Sequence, residues 1–118
     1  MTAKQIANKI KKGGRHVFLL HGEMGAGKTY LVSKVMKLFN AKTSVSSPTF
    51  SIINQYAENI YHIDLYRIED ERHLDGLGLD EILMGNNVVF IEWPSRLSCE
   101  MLELAKPFTE VYVENPGN

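Results

Sequence analysis

Three glycines and a lysine stand at fixed spacing in Gly22-Glu23-Met24-Gly25-Ala26-Gly27-Lys28-Thr29, which fits the pattern G-x-x-x-x-G-K-[ST]. The apolar run Val17-Phe18-Leu19-Leu20 precedes it, and residues 30–39 carry apolar side chains at helical spacing. Strand, glycine turn and helix in that order leave few folds open. The first turn of a helix has backbone N–H groups without internal partners, and the helix dipole favours an anion at the same end. Gly22, Gly25 and Gly27 lack a Cβ, so the chain can turn tightly and bring those amides close to an anion. Lys28 adds a compact positive charge suited to β- and γ-phosphates, and the Thr29 hydroxyl suits Mg²⁺. A nucleoside triphosphate is the expected ligand, with contacts from Glu23, Met24, Gly25, Ala26, Gly27, Lys28, Thr29 and Tyr30.

At 118 residues the expectation is one domain, residues 1–118, with room for a real core. A net charge of −1 supplies no bulk electrostatic reason for direct nucleic-acid binding. With Cys99 the lone cysteine, neither an internal disulfide nor a cysteine-based zinc site can form. The N-terminus lacks the apolar core of a signal peptide, and no stretch has the ~20 apolar residues of a membrane span. A cytoplasmic location without membrane contact is expected.

Ala3, Ile6, Ala7 and Ile10 share one face of an N-terminal helix that Gly13-Gly14 ends. The helix after the glycine turn should run to about Phe39, with Asn40 as its cap. Residues 50–56 and 60–65 are two strands joined by a linker too short for a parallel crossover, hence a hairpin. The expected fold is therefore α/β, a three-layer phosphate-loop architecture with a mixed, mostly parallel sheet. A helical stretch from Ile68 to Leu74 and short helices at 79–84 and 100–104 are expected. Val88-Val89-Phe90-Ile91 has the character of a strand buried on both faces, and a last strand covers 109–114.

A nucleotide site of this type also needs an acidic residue for Mg²⁺, usually where a buried strand ends. Glu92 stands there, after four large apolar residues, a poor place for a solvated carboxylate. Asp64 is the second candidate. It either supports metal and water or caps the turn that follows. His62 reads more readily as a packed or exposed strand residue than as a catalyst, and Arg67 as solvated rather than as a charge-stabilising finger. Thr49, in the loop between the glycine-turn helix and the next strand, either reaches Mg²⁺ on loop closure or belongs to a plain connection ended by Pro48.

The glycine motif, then Ser47-Pro48-Thr49-Phe50, His62-Ile63-Asp64-Leu65-Tyr66-Arg67 and Ile91-Glu92-Trp93-Pro94 occur in that order. In this the chain, from about Ala7 to Val113, resembles the bacterial TsaE (YjeE) ATPases of tRNA threonylcarbamoyladenosine synthesis. The resemblance implies Mg²⁺-dependent ATP binding with weak hydrolysis. It also implies an accessory role to the TsaB and TsaD proteins, which modify ANN-reading tRNAs, so that tRNA is met only through that complex. By the same analogy Thr29 and Glu92 hold the metal, Asp64 supports metal or water, Thr49 belongs to a switch region and Trp93 lies beside the nucleotide or partner. Ser95 and Arg96 stand where many relatives carry an acidic residue.

Three rivals are weaker. A small-molecule kinase needs a lid and an acceptor pocket, for which little chain remains. A GTPase should show Asn-Lys-x-Asp after the glycine motif, and the only Asn-Lys is Asn8-Lys9, upstream of it. An adaptor that binds ATP without hydrolysing it differs only in turnover.

Overall fold

The computed structural model describes residues 1–23, 27–39 and 52–113. Helix α1 (Ala3–Lys11) starts at a reciprocal cap, with Thr2 Oγ1 accepting from the Gln5 N–H at 3.2 Å and Gln5 Oε1 from the Thr2 N–H at 2.8 Å. Its Ile6, Ala7 and Ile10 are buried. Strand β1 (His16–His21) and helix α2 (Lys28–Leu38) follow. Then come the hairpin β2 (Ile53–Ala57) and β3 (Ile60–Asp64), α3 (Leu79–Met84), β4 (Val88–Glu92), α4 (Cys99–Ala105) and β5 (Thr109–Tyr112).

Among the described residues the sheet has the order β2-β3-β4-β1-β5, with the β2–β3 pair antiparallel and the other pairs parallel. It is mixed and mostly parallel, as expected. Side chains alternate across it. Phe18, Leu20, Val88 and Phe90 pack with α1 and α2 on one face, while Val17, Leu19, Val89 and Ile91 pack with α3 and α4 on the other. Cover on both faces explains why β1 and β4 are unbroken apolar runs rather than alternating ones. Arg15 ties the second layer to the sheet. Its guanidinium donates to the carbonyls of Leu83 (2.7 Å), Leu104 (2.7 Å) and Lys106 (3.2 Å), at the C-terminal ends of α3 and α4, where a cation is favoured.

Some boundaries differ from expectation. Helix α2 ends at its C-cap Phe39, whose N–H reaches the Val35 and Met36 carbonyls at 3.1 Å. Asn40, Phe50, Ser51 and Glu114 lie outside the described residues. Instead of a helix from Ile68 there is a single 3₁₀ turn, Glu71–Leu74. Asp70 is extended, and its carboxylate accepts from the Arg72 N–H at 2.9 Å, which caps the turn and prevents a longer helix. No helix among the described residues is long and apolar enough to cross a membrane.

Candidate functional site

Because β1, β3 and β4 are parallel and in register, their C-terminal residues share one sheet edge. Glu92 lies opposite both Leu20 of β1 and Asp64 of β3. Such an edge is where open α/β sheets bind ligands. The N-terminus of α2 arrives at it through Gly27, whose φ of +96° lies in the left-handed region. A Cβ at Gly27 would meet nothing within 4 Å among the described residues, and the backbone angle itself calls for glycine here. The first intrahelical bond runs from the Leu31 N–H to the Gly27 carbonyl at 2.9 Å. The amides of Lys28, Thr29 and Tyr30 belong to the turn before it, for which a helix has no acceptor of its own.

Lys28 and Glu92 are each 4% exposed. The Lys28 ammonium donates to the Gly22 carbonyl at 2.9 Å, lies 3.9 Å from Glu92 Oε1 and sits 4.4 Å from the centre of the Trp93 ring. Glu92 Oε2 accepts from the Thr29 hydroxyl at 3.4 Å and meets His62 Nε2 at 2.5 Å. A solvated rim glutamate is thereby excluded. Trp93 adopts φ +59°, the only positive φ at a non-glycine residue among those described. Such backbone costs about 1–3 kcal/mol and marks a position fixed by its surroundings. Here the indole is held between Lys28 and Tyr66, the ring centres of Tyr66 and Trp93 being 5.1 Å apart. A cleft of about 170 Å³ opens beside it, lined among others by His21, Gly22, Lys28, Trp93 and Ser95.

The structure thus brings Lys28, Thr29, Glu92 and Trp93 together, with Asp64 beside Glu92 on the neighbouring strand. Glu23 is exposed, and Tyr30 contributes its amide to the first turn while its ring is exposed under Lys34. Arg67 is exposed. Met24, Gly25, Ala26 and Thr49 lie outside the described residues. Two polar residues close to the site carried no functional signal in the sequence. Tyr56 stands behind His62, and His21 lines the cleft, its Nε2 3.4 Å from Glu110 Oε1.

Thr29 and Glu92 offer hard oxygen donors within reach of one cation. Among the described residues no cluster of three His, Cys, Asp or Glu side chains could hold a metal by itself. Two protein oxygens and no full protein cage would suit Mg²⁺, which keeps several of its waters.

Asp64 Oδ1 accepts from the Tyr66 N–H at 2.9 Å, so the residue does cap the turn that follows. Burial pushes its carboxyl above the ordinary 3.8; the Tyr66 N–H opposes the rise, and the Glu92 carboxylate adds to it. A raised value means that the folded chain holds this proton more tightly than the unfolded one. The stability it contributes is present below the unfolded value and lost as pH rises through the folded one. At neutral pH the ionised Asp64 therefore destabilises the fold. Asp64→Asn keeps an oxygen for the Tyr66 N–H and should unfold at a higher urea concentration than the parent at pH 7. The gain should vanish at pH values below the carboxyl range. A variant no more stable than the parent at pH 7 would contradict this origin of the shift.

The family model for threonylcarbamoyl adenosine biosynthesis protein TsaE matches residues 1–116. The tRNA threonylcarbamoyladenosine biosynthesis protein TsaE of Rickettsia conorii is 38% identical over 122 residues, covering 98% of this chain and 65% of that protein. The Bacillus subtilis TsaE is 41% identical over 94 residues, covering 77% of this chain and 57% of its own length. The chain spans about two thirds or less of these curated relatives. Among solved structures, YdiB of Bacillus subtilis superposes with a TM-score of 0.57 at 23% identity, covering 95% of this chain and 72% of that one. That likeness concerns the fold.

Proposed function

The chain belongs to the TsaE family of tRNA threonylcarbamoyladenosine biosynthesis proteins, and on that premise we propose that it binds ATP with Mg²⁺ and hydrolyses it slowly. We further propose that it serves in the cytoplasm as an accessory to TsaB and TsaD, meeting tRNA only through them. One observation carries the reading. A buried carboxylate at the end of β4 stands 3.4 Å from the first-turn hydroxyl of α2 and 3.9 Å from the ammonium of the phosphate-loop lysine.

The roles follow from chemistry. The amides of the first α2 turn and of the glycine loop donate to phosphate oxygens, and the Lys28 ammonium neutralises the β- and γ-phosphates. To do so Lys28 exchanges the Gly22 carbonyl, its present acceptor, for phosphate. Thr29 and Glu92 would hold the cation. Bound there, Mg²⁺ supplies charge neutralisation at the phosphates. Asp64 lies beside Glu92, where a carboxylate can orient water. Arg67 is exposed and the Arg96 guanidinium is turned to the Ile68 carbonyl, an arrangement in keeping with slow turnover alone.

Phosphate release from Mg-ATP, measured with and without the TsaB–TsaD pair, tests the proposal alongside pull-down of that pair in ATP, ADP or no nucleotide. Slow release that rises with the pair, and retention that depends on the nucleotide, are expected. Retention without any release would make the protein an adaptor. Phosphate transfer to a nucleoside or metabolite, or retention indifferent to nucleotide, would overturn the reading.

A further inference from the structure

Glu92 has a second set of neighbours, buried between β2, β3 and β4. His62 is wholly buried, with Nε2 2.5 Å from Glu92 Oε2 and Nδ1 2.8 Å from the Tyr56 hydroxyl. Tyr56 is 8% exposed, and the Asn54 side chain hydrogen-bonds to its phenol. Asn54 lies opposite His62 in the β2–β3 register, and Tyr56 stands at the irregularity between Gln55 and Ala57 where that register shifts.

Proton counting gives the row a direction. A carboxylate only accepts, so the contact with Glu92 requires a hydrogen on His62 Nε2. Nδ1 then accepts from the Tyr56 hydroxyl. Burial, reinforced by the Glu92 charge, pushes the Tyr56 phenol up to about 12, so it keeps its proton and remains a donor. Asn54 to Tyr56 to His62 to Glu92 is a chain in which every donor points towards the carboxylate.

We propose that His62, its tautomer fixed by Tyr56, is a positioning residue that holds the Glu92 carboxylate in place as an acceptor for the divalent cation. The assignment rests on the reading of Glu92 as a metal-holding residue. Any buried histidine needs partners on both ring nitrogens, so what marks His62 out is which groups those partners are. Here the far nitrogen is occupied, and the near one spans the gap to the same oxygen that Thr29 reaches. Partners that stand behind a metal-holding group in this way typically change metal affinity by about 10- to 100-fold when removed.

The test has two arms. In the first, MgCl₂ is titrated into protein and ATP, and binding is followed by calorimetry. His62→Leu should raise the half-saturating Mg²⁺ by about 10-fold or more, leaving the affinity for metal-free ATP unchanged. His62→Gln, whose terminal amide N–H replaces the Nε2 donor, should recover most of the loss, and Tyr56→Phe should fall between. In the second arm, ¹⁵N NMR of the parent without ligand should find the imidazole proton on Nε2, and Tyr56→Phe should lose that fixed tautomer.

A proton on Nδ1 in the parent would overturn the proposal whether or not the variants fold. So would an unchanged Mg²⁺ requirement in His62→Leu or in Tyr56→Phe. If the parent itself binds ATP without regard to Mg²⁺, the metal role of Glu92 fails and this proposal fails with it. A Mg²⁺-dependent parent with indifferent variants sinks this proposal alone.

Discussion

Lys28→Ala should lose most of the thermal stabilisation that ATP confers. A ligand at a hundred times its Kd stabilises a protein by about 2.7 kcal/mol, roughly 10 °C in Tm for a chain of this size. Lys28 is 4% exposed, so its charge would act on phosphate with little screening by water. Removing one partner of such a desolvated charge pair costs about 2–5 kcal/mol, and about 2.7 kcal/mol is a hundredfold in Kd. At the same ATP concentration the residual stabilisation falls to about 0.4 kcal/mol, little more than a degree. The ligand-free variant should also melt lower, because Glu92 and the Trp93 ring lose a neighbouring cation. The quantity to compare is therefore the ATP-induced shift, not the Tm itself. A full-sized shift in Lys28→Ala would remove the phosphate loop from the account.

Glu92→Gln should separate binding from hydrolysis. Glu92→Ala is the harsher change: Lys28 and His62 both lose a buried acceptor, a kind of loss that costs about 3–5 kcal/mol. Glutamine keeps the volume and one oxygen that can accept from Thr29 or His62, so the fold should survive. It removes the charge that a cation needs. Mg²⁺-dependent phosphate release should fall by about 100-fold or more, beyond the usual effect of a group standing behind a metal-holding residue. Metal-free ATP should bind at least as tightly as to the parent, because a carboxylate 3.9 Å from the Lys28 ammonium no longer repels the phosphates. Phosphate release at the parent's rate would rule Glu92 out as the metal-holding group.

The elements around the cleft were legible because local chemistry decides them. Gly27 ends a turn and starts a helix, an unbroken apolar run demands cover on both faces, and a linker as short as residues 57–59 allows only a hairpin. The 3₁₀ turn at Glu71–Leu74 was overread as a helix because its cap is a side-chain contact, Asp70 to the Arg72 N–H, that competes with helical bonding. The least legible part is His62. Alternation along a strand places His62 and Asp64 on one face, yet what they face depends on which strand lies next to β3. That neighbour is β4, whose register sets Asp64 against Glu92 and lets His62 span to the same carboxylate. Pairing between strands this far apart in sequence leaves no local mark. Tyr56 is hidden for the same reason, since an aromatic residue in a strand signals packing before it signals a hydrogen bond.

A crystal structure of the protein with Mg²⁺ and a non-hydrolysable ATP analogue tests the central claim most directly. Phosphates against the amides of residues 27–30, with the cation bound by the Thr29 hydroxyl and the Glu92 carboxylate, are predicted. Phosphates bound elsewhere, with Lys28 still on the Gly22 carbonyl and Glu92 still closed between Thr29 and His62, would contradict it.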